Sequence, residues 1–204
     1  MAAMAPRAPE AFDPEPPNDP AVEAEFQAAP GIMVVEIIDG ELHTRPRPAR
    51  RHARAASILG HEITGPFDRG HGGPGGWVIL DEPELHLGRR PDKLVPDLAG
   101  WRRERMPDLF EGDGDPAHFD LAPDWVCQVL SPRTESTDRA KKMRIYRREK
   151  LGHVWLLNPV LRTLEIYRLE SGRWSQLDVH EGDRAVKAEP FDAIDLDLGA
   201  LWKG

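Results

Sequence analysis

The fold is decided by the stretch DWVCQVLSPRTESTDRAKKMRIYRREKLGHVWLLNP, which runs from Asp124 to Pro159. Two short apolar runs at its ends, Trp125 to Leu130 and His153 to Leu157, predict buried strands. The charged segment between them, Asp138 to Leu151, has helical spacing and is followed by Gly152, a residue that suits a helix end. The stretch therefore predicts a strand, a helix and a second strand within one sheet.

The predicted helix has an acidic start and an apolar face. Asp138 suits the positive first turn of a helix, and Ala140, Met143 and Tyr146 are spaced to face inward. Lys142 lies one turn inside the helix, where its side chain can point back over the sheet. The alternative for Lys142 is an ordinary solvated lysine on a charge-rich helix.

Further elements are predicted on both sides of this stretch. They are a hairpin from Met33–Ile38 through Asp39-Gly40 into ELHTR, a helix over Arg51–Ile63, strands over Trp77–Leu87 (with a possible break at Pro83) and Leu94–Trp101, and a second hairpin from Thr163–Leu169 to Arg173–Val179. The glycine-rich segment Gly65 to Trp77 lacks the spacing of a phosphate-binding loop and is predicted to be a connection or lid. The order predicts a mixed α/β sheet, with α+β character and flanking β-hairpins, in one domain over residues 31–204.

The first thirty residues differ from the rest in composition. They are rich in Pro, Ala and acids and have no apolar periodicity, so we expect residues 1–30 to be disordered or loosely packed. They lack the features of a signal peptide, and no apolar run is long enough to span a membrane. A single cysteine, Cys127, excludes an internal disulfide, is expected to be buried, and favours a cytoplasmic location.

The formal net charge of −8 at first argues against a nucleic-acid partner. The segment up to Pro30 contributes −5 of this charge, so the predicted domain carries only −3, and its cations are clustered. The candidate DNA contacts come from two basic segments: Arg50, Arg51, Arg54, Arg139 and Lys141. These segments permit a DNA-facing surface. The alternative is that they are solvated helix faces.

Three side chains could provide chemistry together. Asp97 follows Pro96 in an apolar strand, Gln128 lies mid-strand between apolar residues, and Lys142 comes shortly afterwards in the chain. Oxygen ligands on neighbouring strands suit Mg²⁺, and a nearby lysine can stabilise an attacked phosphate. Glu84, which shares a strand face with His86, is a further candidate ligand. Taken singly, Asp97 could cap a backbone group and Glu84 could be exposed to solvent.

Other catalytic classes are less well supported by the motifs. The eight histidines form no HxxxH or HExxH pair, which disfavours a zinc site, and His118, His153 and His180 are expected to be structural. Ser131 lacks the GxSxG context of a serine hydrolase.

The chain resembles the Uma-two family of restriction endonucleases, in the PD-(D/E)XK nuclease superfamily. The resemblance runs from about Val34 to the C-terminus, and its marks are the segments EIIDGEL, VPDLAGW, WVCQVLSPRT, DRAKKMRIY and GHVWLLNP. It implies a restriction-endonuclease-like core, Mg²⁺ or Mn²⁺ as cofactor, and DNA as substrate. It also implies that Asp97 is the conserved aspartate of the motif and that Lys142 is a lysine moved onto the helix. Glu84 and, less strongly, Glu36 would be additional ligands.

Two residues depart from the family pattern. Gln128 stands where this family usually has Glu, and Asn158 stands where it commonly has Asp.

The leading prediction is a metal-dependent endonuclease in which Asp97, Gln128 and Glu84 hold the ion and Lys142 assists catalysis. The alternative is a weakened or inactive nuclease fold that acts as a DNA- or protein-binding module. A homodimer is also predicted, because cleavage of both strands needs two sites and Trp101, Trp174 and Trp202 offer interface material.

Overall fold

The computed structural model describes residues 17–31, 33–106 and 116–203. The helices are α1 (Pro20–Gln27), α2 (Arg50–Ile63), α3 (Glu135–Thr137), α4 (Met143–Arg148) and α5 (Leu198–Trp202). The strands are β1 (Met33–Ile38), β2 (Glu41–Pro46), β3 (Trp77–Asp81), β4 (Leu85–Leu87), β5 (Asp92–Leu94), β6 (Leu98–Arg102), β7 (Trp125–Val129), β8 (His153–Asn158), β9 (Thr163–Glu170), β10 (Arg173–Glu181), β11 (Ala185–Val186) and β12 (Leu196–Asp197).

The main sheet has six strands in the order β10-β9-β8-β7-β6-β3. β7 and β8 are parallel and are joined by the helical segment between them, whereas the other neighbours are antiparallel. A second sheet has the order β2-β1-β5-β4, and β11 pairs with β12. This arrangement confirms the predicted mixed sheet, with both hairpins at their predicted places.

Each face of the main sheet is covered by different elements. On one face, α2 and α5 pack against alternate residues of the central strands, among them Trp125, Cys127 and Trp155. On the other face, α4 and strands of the second sheet pack against Val126, Leu130 and their neighbours. The period-two alternation of strand side chains therefore assigns the residues of β7 to two separate cores.

The charged helical segment differs from its prediction at its start and on its inner face. The segment begins earlier, at Glu135, and Asp138–Lys142 forms a π-helical turn before α4. Met143 and Tyr146 face inward as predicted, but Ala140 is exposed and its predicted position on the inner face is wrong. Asp138 and Lys142 are buried in its place. Apolar spacing could not show this, because the wider turn presents charged residues to the interior.

Two predicted strands are interrupted in the structure. The strand predicted over Trp77–Leu87 does break at Pro83, and its halves, β3 and β4, belong to different sheets. The continuous strand predicted over Leu94–Trp101 is wrong, because Val95–Asp97 separates β5 from β6 and connects the two sheets. Side chains satisfy the backbone here, since Glu36 Oε1 accepts from Val95 N at 2.8 Å and Arg45 Nη2 donates to Val95 O at 2.9 Å.

The N-terminal segment and the tryptophans need correction too. The expectation of disorder up to residue 30 is wrong for its last part, because α1 forms with Asp19 as its N-cap and Asn18 is buried. The rest of that expectation, residues 1–16, lies outside the described residues. Trp101 is 0% exposed and offers no interface surface, whereas Trp174 and Trp202 are partly exposed.

Two observations bear on the environment of the chain. Cys127 is buried in β7, as expected. Among the helices that the structure describes, none has the length and apolar character needed to cross a bilayer.

Candidate active site

A buried lysine stands at the centre of the candidate site. Lys142 Nζ lies 2.9 Å from Glu36 Oε1 and 3.1 Å from Asp138 Oδ1, and its side chain is only 1% exposed. Burial by itself would lower the pKa of Lys142, but the charges of Glu36 and Asp138 outweigh burial and raise it. The ammonium is therefore fully charged at neutral pH, and the solvated alternative for this residue is excluded.

Asp97 is held in a fixed orientation at the junction of the two sheets. Its Oδ1 accepts from His52 Nε2 at 2.5 Å, and its Oδ2 accepts from the Val129 N–H at 2.7 Å. Burial would raise the pKa of Asp97, but the hydrogen bond and charge of His52, the charge of Arg45 and the Val129 amide lower it below 3.8. Asp97 is therefore a buried, ionised carboxylate.

Gln128 lies in the strand to which Asp97 is bonded. The pairing of the two strands ends with Leu98 and Cys127, and the preceding Asp97 accepts a hydrogen bond from the Val129 N–H, next to Gln128. The amide nitrogen of Gln128 donates to the Tyr146 hydroxyl at 2.6 Å, which turns the side chain towards α4. The hydrogen bond occupies the amide nitrogen, so the amide oxygen is the atom that could turn to a cation.

Arg45 connects the members of this cluster electrostatically. Burial would lower the pKa of Arg45, but nearby carboxylates, chiefly Glu36, Asp97 and Asp138, outweigh burial and raise it. Its Nε lies 3.8 Å from Glu36 Oε2. Lys142, Arg45 and a protonated His52 balance the charges of Glu36, Asp97 and Asp138. The buried charges of the cluster are therefore paired before any ion binds.

The predicted ligand Glu84 lies in a different group of side chains. Its Oε1 is 2.7 Å from His86 Nε2, and His118 completes this group. In the described parts of the chain, no hydrogen bond or ion pair joins Glu84 to Asp97, Gln128 or Lys142. Asp97 bonds to the amide next to Gln128, and Lys142 pairs with Glu36 and Asp138, whereas Glu84 lies apart from all of them.

The predicted DNA contacts separate into two classes. Arg50, Arg51 and Arg54 are exposed and line a groove of about 480 Å³ together with Arg162 and Trp202. Two further candidates are already engaged in ion pairs. Arg139 binds both oxygens of Glu165, at 2.9 and 2.5 Å, and Lys141 Nζ lies 3.0 Å from Glu41 Oε2.

Two cavities reach the buried cluster from outside, and both are lined by His52 and Pro48. One, of about 270 Å³, includes Asp81, Glu82 and Asp97. The other, of about 330 Å³, is lined by Arg45, Arg47 and the residues Ser131–Thr134. His52 and Asp97 therefore both line the smaller cavity, and His52 also lines the larger one.

Several members of the cluster were not evident from the sequence. Glu36 had only a minor place among the candidates, although a single acid inside the apolar run MVVEII is a signal of a buried functional carboxylate. His52 and Asp138 were not singled out, since one lies on a basic helix and the other was explained by the helix dipole. Their roles depend on packing between elements that are distant in sequence.

The donor atoms of the cluster are of the type that a hard divalent cation prefers, but its acids would have to move to share one ion, because in the described part of the chain the three ligand atoms that lie within 4.8 Å of one another belong to Glu84, His86 and His118. Glu36, Asp97, Gln128 and Asp138 offer only oxygen ligands, which Mg²⁺ and Mn²⁺ prefer. Asp138 Oδ1 is buried and lies at ion-pair distance from Lys142, but it receives no well-aligned hydrogen bond. The positive partner of this oxygen is the Lys142 ammonium.

Comparison with known proteins gives a family match and a similar solved structure. A comparison with curated proteins found no match. A solved structure from Anabaena variabilis ATCC 29413, a "putative nuclease belonging to DUF820", is similar in fold, with a TM-score of 0.69 and 22% sequence identity. The match covers 88% of this chain and 96% of that chain. The model of the Uma2 family, described as "Putative restriction endonuclease", matches residues 24–199, so the chain belongs to the Uma2 family.

Proposed function

We propose that this protein is a metal-dependent endonuclease that hydrolyses phosphodiester bonds in DNA. The observation that carries the proposal is the buried cluster at the junction of the two sheets, in which Lys142 pairs with Glu36 and Asp138, and Asp97 bonds to the amide next to Gln128. Burying these charged groups costs desolvation free energy, and losing one partner would be strongly destabilising. A role in catalysis accounts for such a cluster in this proposal. Membership of the Uma2 family and the fold of the Anabaena nuclease support the same activity.

In this proposal Asp97, Gln128 and Glu36 hold the divalent ion. The ion, Mg²⁺ or Mn²⁺, would supply an activated water and neutralise charge on the phosphate. Glu36 takes the place predicted for Glu84, because its carboxylate already lies beside Lys142. His52 keeps one lone pair of Asp97 Oδ1 engaged and so orients the carboxylate; it is a positioning residue.

Lys142 acts on the phosphate in this proposal. Its ammonium is bound by two carboxylates, Glu36 and Asp138, and can exchange one of them for a phosphate oxygen. A fixed positive charge in a water-poor site stabilises the charge that develops during phosphoryl transfer. Asp138 would then keep Lys142 in position while Glu36 turns towards the metal.

DNA would approach along the groove that contains Arg50, Arg51 and Arg54. These guanidinium groups suit phosphate oxygens, and they belong to the same helix as His52. Arg139 and Lys141 contribute less in this proposal, since binding DNA would first require them to leave their carboxylate partners. A homodimer and a cytoplasmic location remain part of the proposal.

A second function, binding without turnover, is favoured by one observation. Gln128 provides a dipole where a carboxylate would provide a full charge, and both oxygens of Asp97 already accept hydrogen bonds. Metal affinity should therefore be weak, and Mn²⁺ should support cleavage better than Mg²⁺, because Mn²⁺ accepts amide partners more readily and demands less ideal geometry.

A plasmid-nicking assay separates the two functions. We expect cleavage with Mn²⁺ by the wild type, faster cleavage and tighter metal binding by Gln128→Glu, and no cleavage by Asp97→Ala. Cys127→Ser is the matched control, because Cys127 is adjacent to Gln128 but faces the other core. If folded wild type and folded Gln128→Glu both fail to cleave with either ion, the endonuclease proposal is rejected and the binding module takes its place.

A further inference from the structure

A second group of metal-binding side chains lies apart from the candidate active site. The ligand atoms of Glu84, His86 and His118 all lie within 4.8 Å of one another, and all three residues are partly buried. This group has two imidazoles and one carboxylate, whereas the active-site cluster offers oxygen ligands. The three residues form no local sequence motif, because His118 is 32 residues from His86 in the chain.

Backbone pairing holds the three residues together. Glu84 and His86 are two residues apart at β4, so their side chains leave the strand on the same face. The His86 N–H donates to Phe119 O at 2.9 Å, and the Phe119 N–H donates to Glu84 O at 2.8 Å. His118 is therefore placed beside β4 by main-chain hydrogen bonds, independently of any side-chain contact.

The side chains are close to, but not yet in, a metal-binding arrangement. His86 Nε2 is bonded to Glu84 Oε1, and the two imidazole rings are stacked 3.8 Å apart with an interplanar angle of 10°. A metal ion accepts lone pairs in the plane of each ring, so two parallel rings must tilt to share one ion. The ligand atoms of a tetrahedral ion lie about 3.3 Å from one another. The ligand atoms of these three residues are up to 4.8 Å apart, so their side chains must rotate towards one another to bind one ion.

The surrounding charges permit a cation. The Asp120 carboxylate lies 3.8 Å from His118 Nε2 and adds a negative charge near the site. The charge of Lys93 reaches His86 and would oppose a cation, but Lys93 Nζ is paired with Glu23 Oε2 at 2.5 Å. With neutral histidines, the carboxylates of Glu84, Asp120 and Glu23 and the ammonium of Lys93 leave two negative charges around the site, which favours a cation.

We propose that Glu84, His86 and His118 form a binding site for a borderline transition-metal ion of the Zn²⁺ class, with water in the fourth position. Two nitrogen ligands and one carboxylate favour such ions over Mg²⁺. The ion would fasten the chain around His118 to the edge strand β4, where two backbone hydrogen bonds already join them. The site does not depend on the proposed nuclease activity.

The test is a titration of the metal-stripped full chain with Co²⁺, followed by its visible absorption, and with Zn²⁺ by calorimetry. We expect one ion per chain at this site, a rise in unfolding temperature, and affinity at least about tenfold weaker in both His118→Gln and His86→Gln. His71→Gln, at an exposed histidine elsewhere, is the matched control and should bind as the wild type does. Asp97→Ala should also bind normally, which separates this site from the active-site cluster.

Circular dichroism of each variant establishes that it is folded before binding is compared. The proposal is overturned if the wild type binds neither ion, or if both histidine variants bind as tightly as His71→Gln. Binding that is lost in Asp97→Ala but kept in His118→Gln would assign the ion to the active-site cluster and would overturn it too. Loss of nuclease activity alone would leave this proposal unaffected, since its readout is metal binding.

Discussion

The two faces of strand β7 differ sharply in what they bury. On one face, Trp125 makes edge-to-face contacts with Trp155 and Phe191, with ring centroids 5.3 and 4.8 Å away, in an apolar aromatic core. On the other face, Gln128 meets the Tyr146 hydroxyl close to Lys142 and its acids. The same strand therefore contributes to a core that stabilises the fold and to a polar cluster that costs desolvation.

The difference teaches where function is built in this fold. The aromatic core is stabilised by burial of apolar surface and by ring geometry. It therefore excludes charged side chains but needs no pairing of opposite charges. The polar face remains stable only because each charge has a partner, and removing one partner exposes the desolvation cost of the others. Substitutions on the polar face should therefore have large effects that depend on which partner is lost.

The largest effect is expected from Lys142→Met. Loss of the ammonium leaves Glu36 and Asp138 buried without their cation, so the free energy of unfolding should fall by about 3–5 kcal/mol. Lys141→Met is the matched control, since Lys141 is adjacent in the chain, partly exposed and paired with exposed Glu41, and its loss should change stability far less. Urea unfolding at pH 7 measures both. Equal losses in the two variants would contradict the difference between the buried and exposed pairs.

A smaller effect is expected from Gln128→Leu. The substitution keeps the volume but removes the partner of the buried Tyr146 hydroxyl, so stability should fall by about 1–3 kcal/mol and cleavage should be lost. Gln176→Leu is the matched control, because Gln176 also donates to a tyrosine hydroxyl, that of Tyr167, but on the surface. That variant should stay within about 0.5 kcal/mol of the wild type. If Gln128→Leu is fully active, the amide has no role in the reaction.

The smallest effect is expected at the rim of the polar face, from Arg139→Gln. The hydrogen bond from Arg139 lowers the pKa of Glu165 below 4.5, so this pair contributes stability above pH 4.5 and loses it as the pH falls through the folded-state pKa. Arg139→Gln should therefore cost about 1 kcal/mol at pH 7 and close to nothing near pH 2. Urea unfolding at both pH values, with the exposed Arg144→Gln as control, measures this change. A cost that is unchanged at acid pH would contradict the assignment to the Glu165 carboxylate.

Much of the fold could be predicted because its signals are local. Asp39 and Gly40 both have positive φ in the β1–β2 turn, as the Asp-Gly pair indicates, and α2 buries Ala55, Leu59 and Ile63 as their spacing requires. The strand break at Val95–Asp97 escaped prediction because it is stabilised by side chains from β1 and β2. The wide turn at Asp138–Lys142 escaped prediction because its inner face is charged.

The sequence by itself determined the elements and indicated three residues of the candidate site, Asp97, Gln128 and Lys142, because side-chain periodicity and motif order are local properties of the chain. Only the tertiary structure decided their partners. Glu36 and Lys142 meet across more than a hundred residues, and His52 reaches Asp97 from another element. The tertiary structure also shows that Glu84 belongs to a separate cluster with His86 and His118. The physical reason is that a buried charged group pairs with the opposite charge that lies near it in the folded chain. Which groups lie near one another depends on the packing of the whole fold.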